Sequence, residues 1–407
     1  MLDRFLKLVE CDPHAAAVIE EGRVVTRAEL LERAREIASR LPREGPLALQ
    51  LPNSAEFVAT FLAALQLDLV VIPIDRDAAA AEVAAVREHF RPPFPEGTRL
   101  IKVTSGSTGK PKGIYTSEAN LIADCENICT TMGITPGDVN LGAIPFSHSY
   151  GFSNLVTPLI LQGTAVVAAN AYLPQTLVDL ANEHRCTVAP LIPMVFDHLA
   201  TAAHGQFETV RTFISAGAPL SAGTSRRFRE RFGTPIHSFY GCSETGGITY
   251  DRTGAAAERG TVGSAMQGVS LSIENSRLTV RSASAVGGSF VTDDLVSMND
   301  EGELVLTGRA SDLINTAGKK VNPREVEAVI LQMEGVREAK VYGEAAGARG
   351  EVVAAAIVAT PDVTREQVRA FCRARLSLHK VPRIVKLIDA MPVDERGKIK
   401  RAALAAL

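Results

Sequence analysis

Residues 104–113 read TSGSTGKPKG and directly follow the strand-like residues LIKV at 100–103. Glycines allow the backbone to approach an anion closely, and successive N–H groups can surround phosphate oxygens. Four hydroxyl side chains and two lysines in the same segment add hydrogen-bond donors and positive charge. The composition predicts a phosphate-binding loop, with a flexible surface turn as the alternative.

Two common nucleotide-binding loops do not fit this stretch. A Walker A loop needs four residues between its first glycine and the Gly-Lys pair, and Ser or Thr after the lysine. Here two residues separate Gly106 from the pair Gly109-Lys110, and Pro111 follows. The G-x-G-x-x-G pattern of a dinucleotide-binding fold is absent from the sequence as well.

The composition is that of an ordinary globular protein with at least two domains. The chain has 407 residues, 46% hydrophobic and 22% charged, with a formal net charge of -3. Scattered Lys and Arg residues give no reason to expect nucleic-acid binding. Without a long apolar run or a signal-peptide pattern, we expect no membrane span and a cytoplasmic location. Cys125 and Cys129, four residues apart on a predicted helix, are expected to be core thiols rather than metal ligands.

Strand and helix patterns alternate through the N-terminal part. Thr26 is expected to cap a helix that ends near residue 41, and a second helix is predicted at 55–65. Predicted strands occupy residues 46–51, 69–72, 164–169, 187–191 and 212–215. Repeated strand–helix units imply parallel sheets covered by helices.

The pattern changes towards the C-terminus. Short strands dominate residues 260–306, which predicts an antiparallel, barrel-like stretch. A compact α+β unit follows, with a domain boundary expected near Ser311. The predicted fold class is α/β: a large N-terminal domain of helix-covered sheets (1–310) with a small barrel-like β subdomain, followed by a small α+β C-terminal domain (311–407).

The segment TSGSTGKPKG resembles the phosphate-binding signature of the adenylate-forming, or AMP-binding, superfamily. This superfamily contains acyl-CoA synthetases, aryl-acid ligases, luciferases and the adenylation domains of peptide synthetases. The resemblance implies nucleotide phosphate contacts throughout the loop, and Thr108 is also assigned a catalytic role. The implied phosphate-binding residues are Thr104, Ser105, Gly106, Ser107, Thr108, Gly109 and Lys112.

Residues 240–244 read YGCSE and resemble the family motif Tyr-Gly-x-Thr-Glu. By this resemblance Tyr240 would stack on adenine, Ser243 would contact phosphate, and Glu244 would help to hold Mg²⁺. Gly241 is also assigned to the nucleotide site. A carboxylate is a hard oxygen ligand, which is the kind that Mg²⁺ prefers. Ser243 keeps the hydroxyl of the usual threonine. The alternative is a surface turn with a solvated glutamate.

Two further segments resemble nucleotide contacts of the same family. Gly217, Ala218 and Pro219 resemble the backbone segment beside the adenine. The TDD triplet at 292–294 is similar to a Thr-Gly-Asp motif, so Asp294 would accept hydrogen bonds from both ribose hydroxyls. Arg309 would also reach the ribose. On their own, Asp294 and Arg309 would form an ordinary surface ion pair.

The C-terminal residues 397–401, GKIKR, resemble the family's closing Gly-Lys-x-x-Arg motif. Lys398 is the predicted adenylation lysine, because an ammonium can stabilise the charge that accumulates between a carboxylate and the α-phosphate. A solvated basic tail is the alternative. Ser311 stands at the hinge position, where relatives often carry Asp or Lys. Gly318 matches a glycine beside the tunnel for a phosphopantetheine arm.

Residues 145–151, PFSHSYG, resemble a family segment near the acyl site. His148 would position the acid or control its access, with a purely structural role as the alternative. Ser149 stands where relatives that activate amino acids usually have Asp, which disfavours an α-amino acid. The nearby apolar residues suit an aliphatic or aromatic acid; they are Phe152, Leu155, Ile192 and Met194. The stretch from Pro73 to Leu100 is shorter than the family normally has.

These resemblances together imply a ligase that uses ATP and Mg²⁺ to convert a carboxylic acid into its acyl-adenylate. CoA is the expected acceptor, and AMP the released product. The alternatives are loading of a carrier-protein phosphopantetheine, or an inactive nucleotide-binding member of the family. Retention of Glu244 and Lys398 argues against inactivity, because binding alone needs neither. The acid, the oligomeric state and the pathway stay open.

Overall fold

The computed structural model describes residues 1–105, 111–170, 172–316, 319–345, 351–392 and 404. A helix begins the chain, and helices form many of the connections between the described strands. A π-helical stretch, Phe152–Val156, joins α6 to α7. The α-helices are α1 Leu2–Cys11, α2 Arg27–Arg40, α3 Ala55–Gln66, α4 Ala80–His89, α5 Glu118–Met132, α6 Ser149–Gly151, α7 Thr157–Gln162, α8 Pro174–Glu183, α9 Pro193–Ala202, α10 Ala222–Phe232, α11 Ala256–Arg259, α12 Pro323–Ile330 and α13 Arg365–Arg373.

Among the described residues the strands run from two to ten residues in length. The strands are β1 Ala16–Glu20, β2 Arg23–Thr26, β3 Leu47–Gln50, β4 Val71–Ile74, β5 Thr98–Ser105, β6 Pro111–Ser117, β7 Val139–Gly142, β8 Ala165–Ala168, β9 Val188–Leu191, β10 Thr212–Ser215, β11 Ile236–Cys242, β12 Gly246–Tyr250, β13 Ser264–Ala265, β14 Ser270–Glu274, β15 Arg277–Arg281, β16 Ser289–Met298, β17 Leu304–Arg309, β18 Ile314–Thr316, β19 Lys319–Val321, β20 Val336–Ala345, β21 Glu351–Ala359 and β22 Ile384–Leu387.

The helix predicted after Thr26 is confirmed, and its start has a specific local cause. The Thr26 side chain accepts a hydrogen bond from the Glu29 N–H, while the Glu29 carboxylate accepts from the Thr26 N–H. This reciprocal capping box satisfies two backbone donors that a helix start otherwise leaves unpaired. The predicted end of the strand at Pro73 is wrong, because Pro73 lies inside β4 and all four residues of that strand are buried.

The larger sheet has the strand order β13-β12-β11-β10-β9-β7-β8-β1-β2. From β11 to β1 the neighbouring strands run parallel. An apolar core fills one side of this sheet, with Phe196, Phe213 and Phe228 in edge-to-face contact. The predicted helix-covered parallel sheet is therefore confirmed.

A second sheet has the order β3-β4-β5-β6. Strands β3, β4 and β5 run parallel, whereas β6 returns antiparallel to β5. Residues 106–110, the centre of the predicted phosphate loop, lie outside the described residues. The described residues on both sides show that the loop joins two paired strands, since Thr104 faces Lys112 across the pair.

The chain divides into two compact units. The first comprises 1–272, 279–291 and 298–304, and the second comprises 273–278, 292–297 and 305–407. The β-rich region predicted from 260 to 306 forms a sheet in the order β14-β15-β16-β17. In the second unit, β20, β21 and β22 form a sheet whose buried residues pack with α12 and α13. The boundary near Ser311 stays a prediction.

Among the helices that the structure describes, none is both long and apolar enough to cross a bilayer. Cys125 and Cys129 are buried on α5 with their sulfur atoms 3.8 Å apart, as expected for core thiols.

Candidate functional site

Strands β7, β9, β10 and β11 are successive parallel neighbours in the larger sheet. Their carboxyl ends therefore lie side by side. Ligands of open α/β sheets bind in the crevice at the carboxyl ends of such strands. Segments singled out from the sequence continue from these ends: 145–151 after β7, Ile192 after β9, 217–219 after β10 and 240–244 at the end of β11. The fold therefore collects them at one edge.

Glu244 lies on the three-residue turn between β11 and β12, an antiparallel hairpin in which Cys242 faces Gly246. Its carboxylate Oε1 is 3.1 Å from the Nζ of Lys112, which lies on β6 after the phosphate loop. The Glu244 side chain is 19% exposed and the Lys112 side chain 59%. Two motifs separated by 132 positions thus meet in one ion pair.

The acid-site segment reaches the same turn. The hydroxyl groups of Ser149 and Ser243 share a hydrogen bond of 3.0 Å. His148 is exposed, and its Nδ1 accepts a hydrogen bond from the N–H of Tyr150 at 3.2 Å. The buried Tyr150 hydroxyl lies 3.4 Å from the Leu191 carbonyl and 3.0 Å from the Ile214 carbonyl. Burial raises the pKa of Tyr150, so its hydroxyl stays a neutral donor that ties this segment to the ends of β9 and β10.

The segment after β7 also has a buried anchor that the motifs do not reveal. The Asn53 amide nitrogen donates to the carbonyls of Gly142 and Ile144, each at 2.9 Å. Its amide oxygen accepts from the Phe146 N–H at 2.7 Å. A satisfied buried amide of this kind fixes the backbone in one conformation. The backbone of the segment that leads to His148 is therefore held in place by Asn53.

Not every apolar residue assigned to the acid pocket lines the same surface. Phe152 is buried with its ring edge-on to Phe61 at a centroid distance of 5.0 Å, and Leu155 is completely buried. Both belong to the π-helical stretch and pack into the core. Ile192 and Met194 are partly exposed beyond the end of β9.

The backbone of the Glu244 turn is held from another part of the fold. The Glu244 carbonyl accepts from the Val286 N–H at 3.0 Å, and the Thr245 carbonyl accepts from the Ser284 hydroxyl at 2.8 Å. Burial raises the pKa of Cys242, which precedes the turn, to about 11. Its thiol is therefore protonated near neutral pH and adds no charge beside Glu244.

The residues predicted to lie beside the adenine follow β10 or lie on β11. Gly217 has a φ of +85°, a left-handed conformation that favours glycine, and Ala218 and Pro219 are exposed. Tyr240 is half-buried and Gly241 exposed on β11. A Cβ on Gly241 would lie 2.4 Å from the Gly246 carbonyl oxygen, so the hairpin requires glycine there.

The predicted ribose residues are paired within the second unit. The Arg309 Nε donates to Asp294 Oδ1 at 3.0 Å. Burial opposes the positive charge, but the carboxylate of Asp294 raises the pKa of Arg309. Ser311, at the predicted hinge, donates its hydroxyl and backbone N–H to the Asp293 carboxylate. Asp293 stands where the family motif has glycine, and in this chain its carboxylate is hydrogen-bonded by Ser311.

Several predicted site residues lie outside the described residues. They are Gly106, Ser107, Thr108, Gly109, Gly318 and Lys398. Of the loop residues on either side, the Thr104 hydroxyl donates to the Lys112 carbonyl at 3.4 Å, and the backbone of Ser105 pairs with Pro111. The roles of all these residues stay predictions.

The structure also places two residues at this site that the motifs did not indicate. Lys102 on β5 and Asp124 on α5 are both buried below the Glu244 turn. Each carried a detectable signal. Lys102 occurs at the buried position two residues after Leu100, and Asp124 falls in the apolar stripe that includes Leu121 and Ile128.

Comparison with known proteins identifies the family. The profile described as AMP-binding enzyme matches residues 5–94 and 87–308. The profile of the AMP-binding enzyme C-terminal domain matches residues 325–398. This chain belongs to the AMP-binding enzyme family. The first profile matches in two segments that overlap at 87–94, within the stretch between Pro73 and Leu100 that is expected to be short.

Individual members of the AMP-binding enzyme family show how far the similarity extends. A sulfoacetate–CoA ligase of Cupriavidus necator is 27% identical over 367 residues, covering 83% of this chain and 70% of that protein. A 2-succinylbenzoate–CoA ligase of Bacillus velezensis is 27% identical over 339 residues, covering 77% and 69%. The matches to three curated relatives span 62%, 70% and 69% of their lengths.

The fold of an AMP-binding enzyme is also evident in solved structures. ATP-bound MatB from Rhodopseudomonas palustris superposes with a TM-score of 0.84 at 24% identity. The superposition covers 100% of this chain and 98% of that chain. The predicted fold class is thereby confirmed.

Proposed function

We propose that this protein uses ATP and Mg²⁺ to convert a carboxylic acid into its acyl-adenylate, and then transfers the acyl group to the thiol of CoA with release of AMP. The observation that supports this most strongly is the convergence at the Glu244 turn. Lys112 from the phosphate-loop hairpin and Ser149 from the acid-site segment both contact this turn. A nucleotide phosphate and a carboxylate would therefore be bound next to each other, as adenylation requires.

The described residues fit a magnesium ion shared with nucleotide phosphates. Mg²⁺ is commonly held by one or two carboxylates together with substrate phosphates, rather than by a cage of protein ligands. Within the described ranges no group of three or more His, Cys, Asp or Glu side chains forms such a cage. Glu244, partly exposed beside Lys112, supplies one carboxylate. The ion would neutralise phosphate charge while Lys112 provides a second cation.

The proposed substrate is an aliphatic or aromatic acid without an α-ammonium group. Ser149 is hydrogen-bonded to Ser243 and offers no negative charge to such a group. His148 is the proposed positioning group for the acid carboxylate. It is exposed next to Ser149, and its Nδ1 is engaged by the backbone. Because both ATP and CoA are cytoplasmic metabolites, we propose the cytoplasm as the compartment.

Acid-dependent exchange of pyrophosphate into ATP tests the adenylation step. We expect exchange with at least one member of a panel of aliphatic and aromatic acids, and none without acid or Mg²⁺. Folded protein that gives no exchange across the panel would contradict the enzymatic proposal and favour the inactive alternative. Active acids are then offered with CoA or with a phosphopantetheinylated carrier protein. Thioester formation on the carrier alone would show that a carrier protein, and not CoA, is the acceptor.

A further inference from the structure

Two oppositely charged side chains are buried beneath the turn that carries Glu244. Lys102 on β5 is 7% exposed, and Asp124 on α5 is 3% exposed. A buried charge is costly unless an opposite charge or several hydrogen bonds compensate for it. The contacts of these two residues therefore indicate why the fold retains them.

Lys102 holds the beginning of the turn. Its Nζ donates to the backbone carbonyl of Ser243 at 3.4 Å, across 141 positions of sequence. Burial lowers the pKa of Lys102, while the negative charges of Asp124 and Glu244 oppose that shift. The ammonium thus links the strand that enters the phosphate loop to the residue immediately before Glu244.

Asp124 holds the end of the turn. Its Oδ1 accepts from the Gly247 N–H at 2.9 Å, and its Oδ2 accepts from the Ser153 hydroxyl at 2.6 Å. Gly246 adopts a φ of +73°, and a Cβ there would lie 2.1 Å from Asp124 Oδ1. The carboxylate therefore packs directly against the backbone of the turn and connects it to the π-helical stretch.

We propose that Lys102 and Asp124 are positioning residues for binding of the magnesium–ATP complex. By fixing Ser243 at the start of the turn and Gly247 directly after it, they hold the Glu244 carboxylate in the orientation in which it binds the metal. A ligand must be held to within about 0.5 Å of its working position, which a short turn does not achieve alone. This inference rests on the proposed function, because it assigns Glu244 to Mg²⁺.

The test compares two nucleotides, since ATP binds with Mg²⁺ whereas AMP lacks the phosphates that share the metal. Calorimetry without acid gives the Kd of each nucleotide for the wild type, Lys102→Met and Asp124→Asn. Loss of a group that orients a metal ligand typically costs 10- to 100-fold in affinity. We expect the Kd of ATP in the presence of Mg²⁺ to rise about 10-fold in Lys102→Met. The Kd of AMP should change less than about twofold.

A control variant and a double variant separate positioning from general destabilisation. Glu303→Gln removes another buried carboxylate, whose partners Arg259 and Thr261 lie outside the turn, and should leave both Kd values unchanged. If Lys102→Met fails to fold with Asp124 uncompensated, Lys102→Met/Asp124→Asn restores a neutral interior. This double variant should still bind ATP with Mg²⁺ more weakly than the wild type.

The inference is overturned if the variants bind ATP with Mg²⁺ as the wild type does, or if AMP and ATP affinity fall by the same factor. Failure of the proposed function has a different signature. A wild type that binds both nucleotides but activates no acid would contradict the acid-activating proposal. The comparison between wild-type and variant nucleotide binding would remain decisive for Lys102 and Asp124.

Discussion

The contact between Lys112 and Glu244 has a limited strength that suits a binding site. More than half of the Lys112 side chain is exposed, so water screens the pair. Ion pairs in such surroundings contribute at most about 1 kcal/mol. Breaking the ion pair therefore costs little free energy. Glu244 can bind a metal cation, and Lys112 a phosphate, without a large loss of stability.

Replacing Glu244 by Gln keeps the size of the side chain but removes its negative charge. Because a neutral amide is a poorer ligand for Mg²⁺, we expect the Mg²⁺ concentration for half-maximal exchange to rise by about 10-fold or more. Titration of Mg²⁺ at saturating ATP and acid measures this. Glu96→Gln, at an exposed carboxylate, is the matched control. An unchanged Mg²⁺ requirement in Glu244→Gln would contradict the assignment of the metal ligand.

At the level of secondary-structure elements, backbone conformation constrains the site more than side-chain type does. The hairpin β11–β12 requires glycine at 241 and at 246, where a Cβ would meet backbone or carboxylate oxygens. Its turn is held by groups from β5, α5 and residues 284–286. Pre-organisation of this kind lowers the entropy that binding would otherwise have to remove.

Substitution at Gly246 should reveal this requirement. A non-glycine residue at positive φ costs about 1–3 kcal/mol, and Gly246→Ala also forces a Cβ against Asp124. Gly260→Ala is the control, because Gly260 has a φ of +72° and an added Cβ there would have nothing within 4 Å. We expect Gly246→Ala to lower the free energy of unfolding by about 1–3 kcal/mol more than Gly260→Ala does. Equal free energies of unfolding for the two variants in guanidinium chloride would show that Asp124 does not constrain the turn.

Many elements could be predicted from local patterns, and the exceptions have physical causes. The capped helix after Thr26 follows from side-chain chemistry within four residues. The strand at β10 follows from a short apolar run, and its predicted bounds are those of the structure. Strand β6 was not foreseen, because residues 111–117 alternate weakly and begin with proline. Its pairing with β5 supplies the stability that the local sequence lacks.

At the scale of the whole molecule, the predicted chemistry depends on both parts of the chain. Glu244 belongs to the first compact unit, whereas Asp294 and Arg309 belong to the second. Lys398, the predicted adenylation lysine, is in the C-terminal segment outside the described residues. The match of 325–398 to the C-terminal domain profile ends at this residue.

Lys398→Ala should separate the two half-reactions. Loss of one pre-organised charge-stabilising group costs on the order of 10² to 10³ in rate, so we expect exchange of pyrophosphate to fall by that factor. Thioester formation from supplied acyl-adenylate should be preserved, because the bond to phosphate has already formed. Lys386→Ala, in the same unit, serves as a control. Equal loss of both half-reactions in Lys398→Ala would contradict its role in adenylation.

The sequence by itself determined the family, the succession of strand–helix units and most candidate site residues. These features depend on short-range order: motif spacing, hydrophobic periodicity and capping act over a few residues. Only the tertiary structure decided that Lys112, Ser149 and Glu244 meet at one turn. It also decided that Lys102 and Asp124 lie beneath that turn. A local pattern can mark a charged residue at a buried position, but its partner is decided only when distant strands and helices pack.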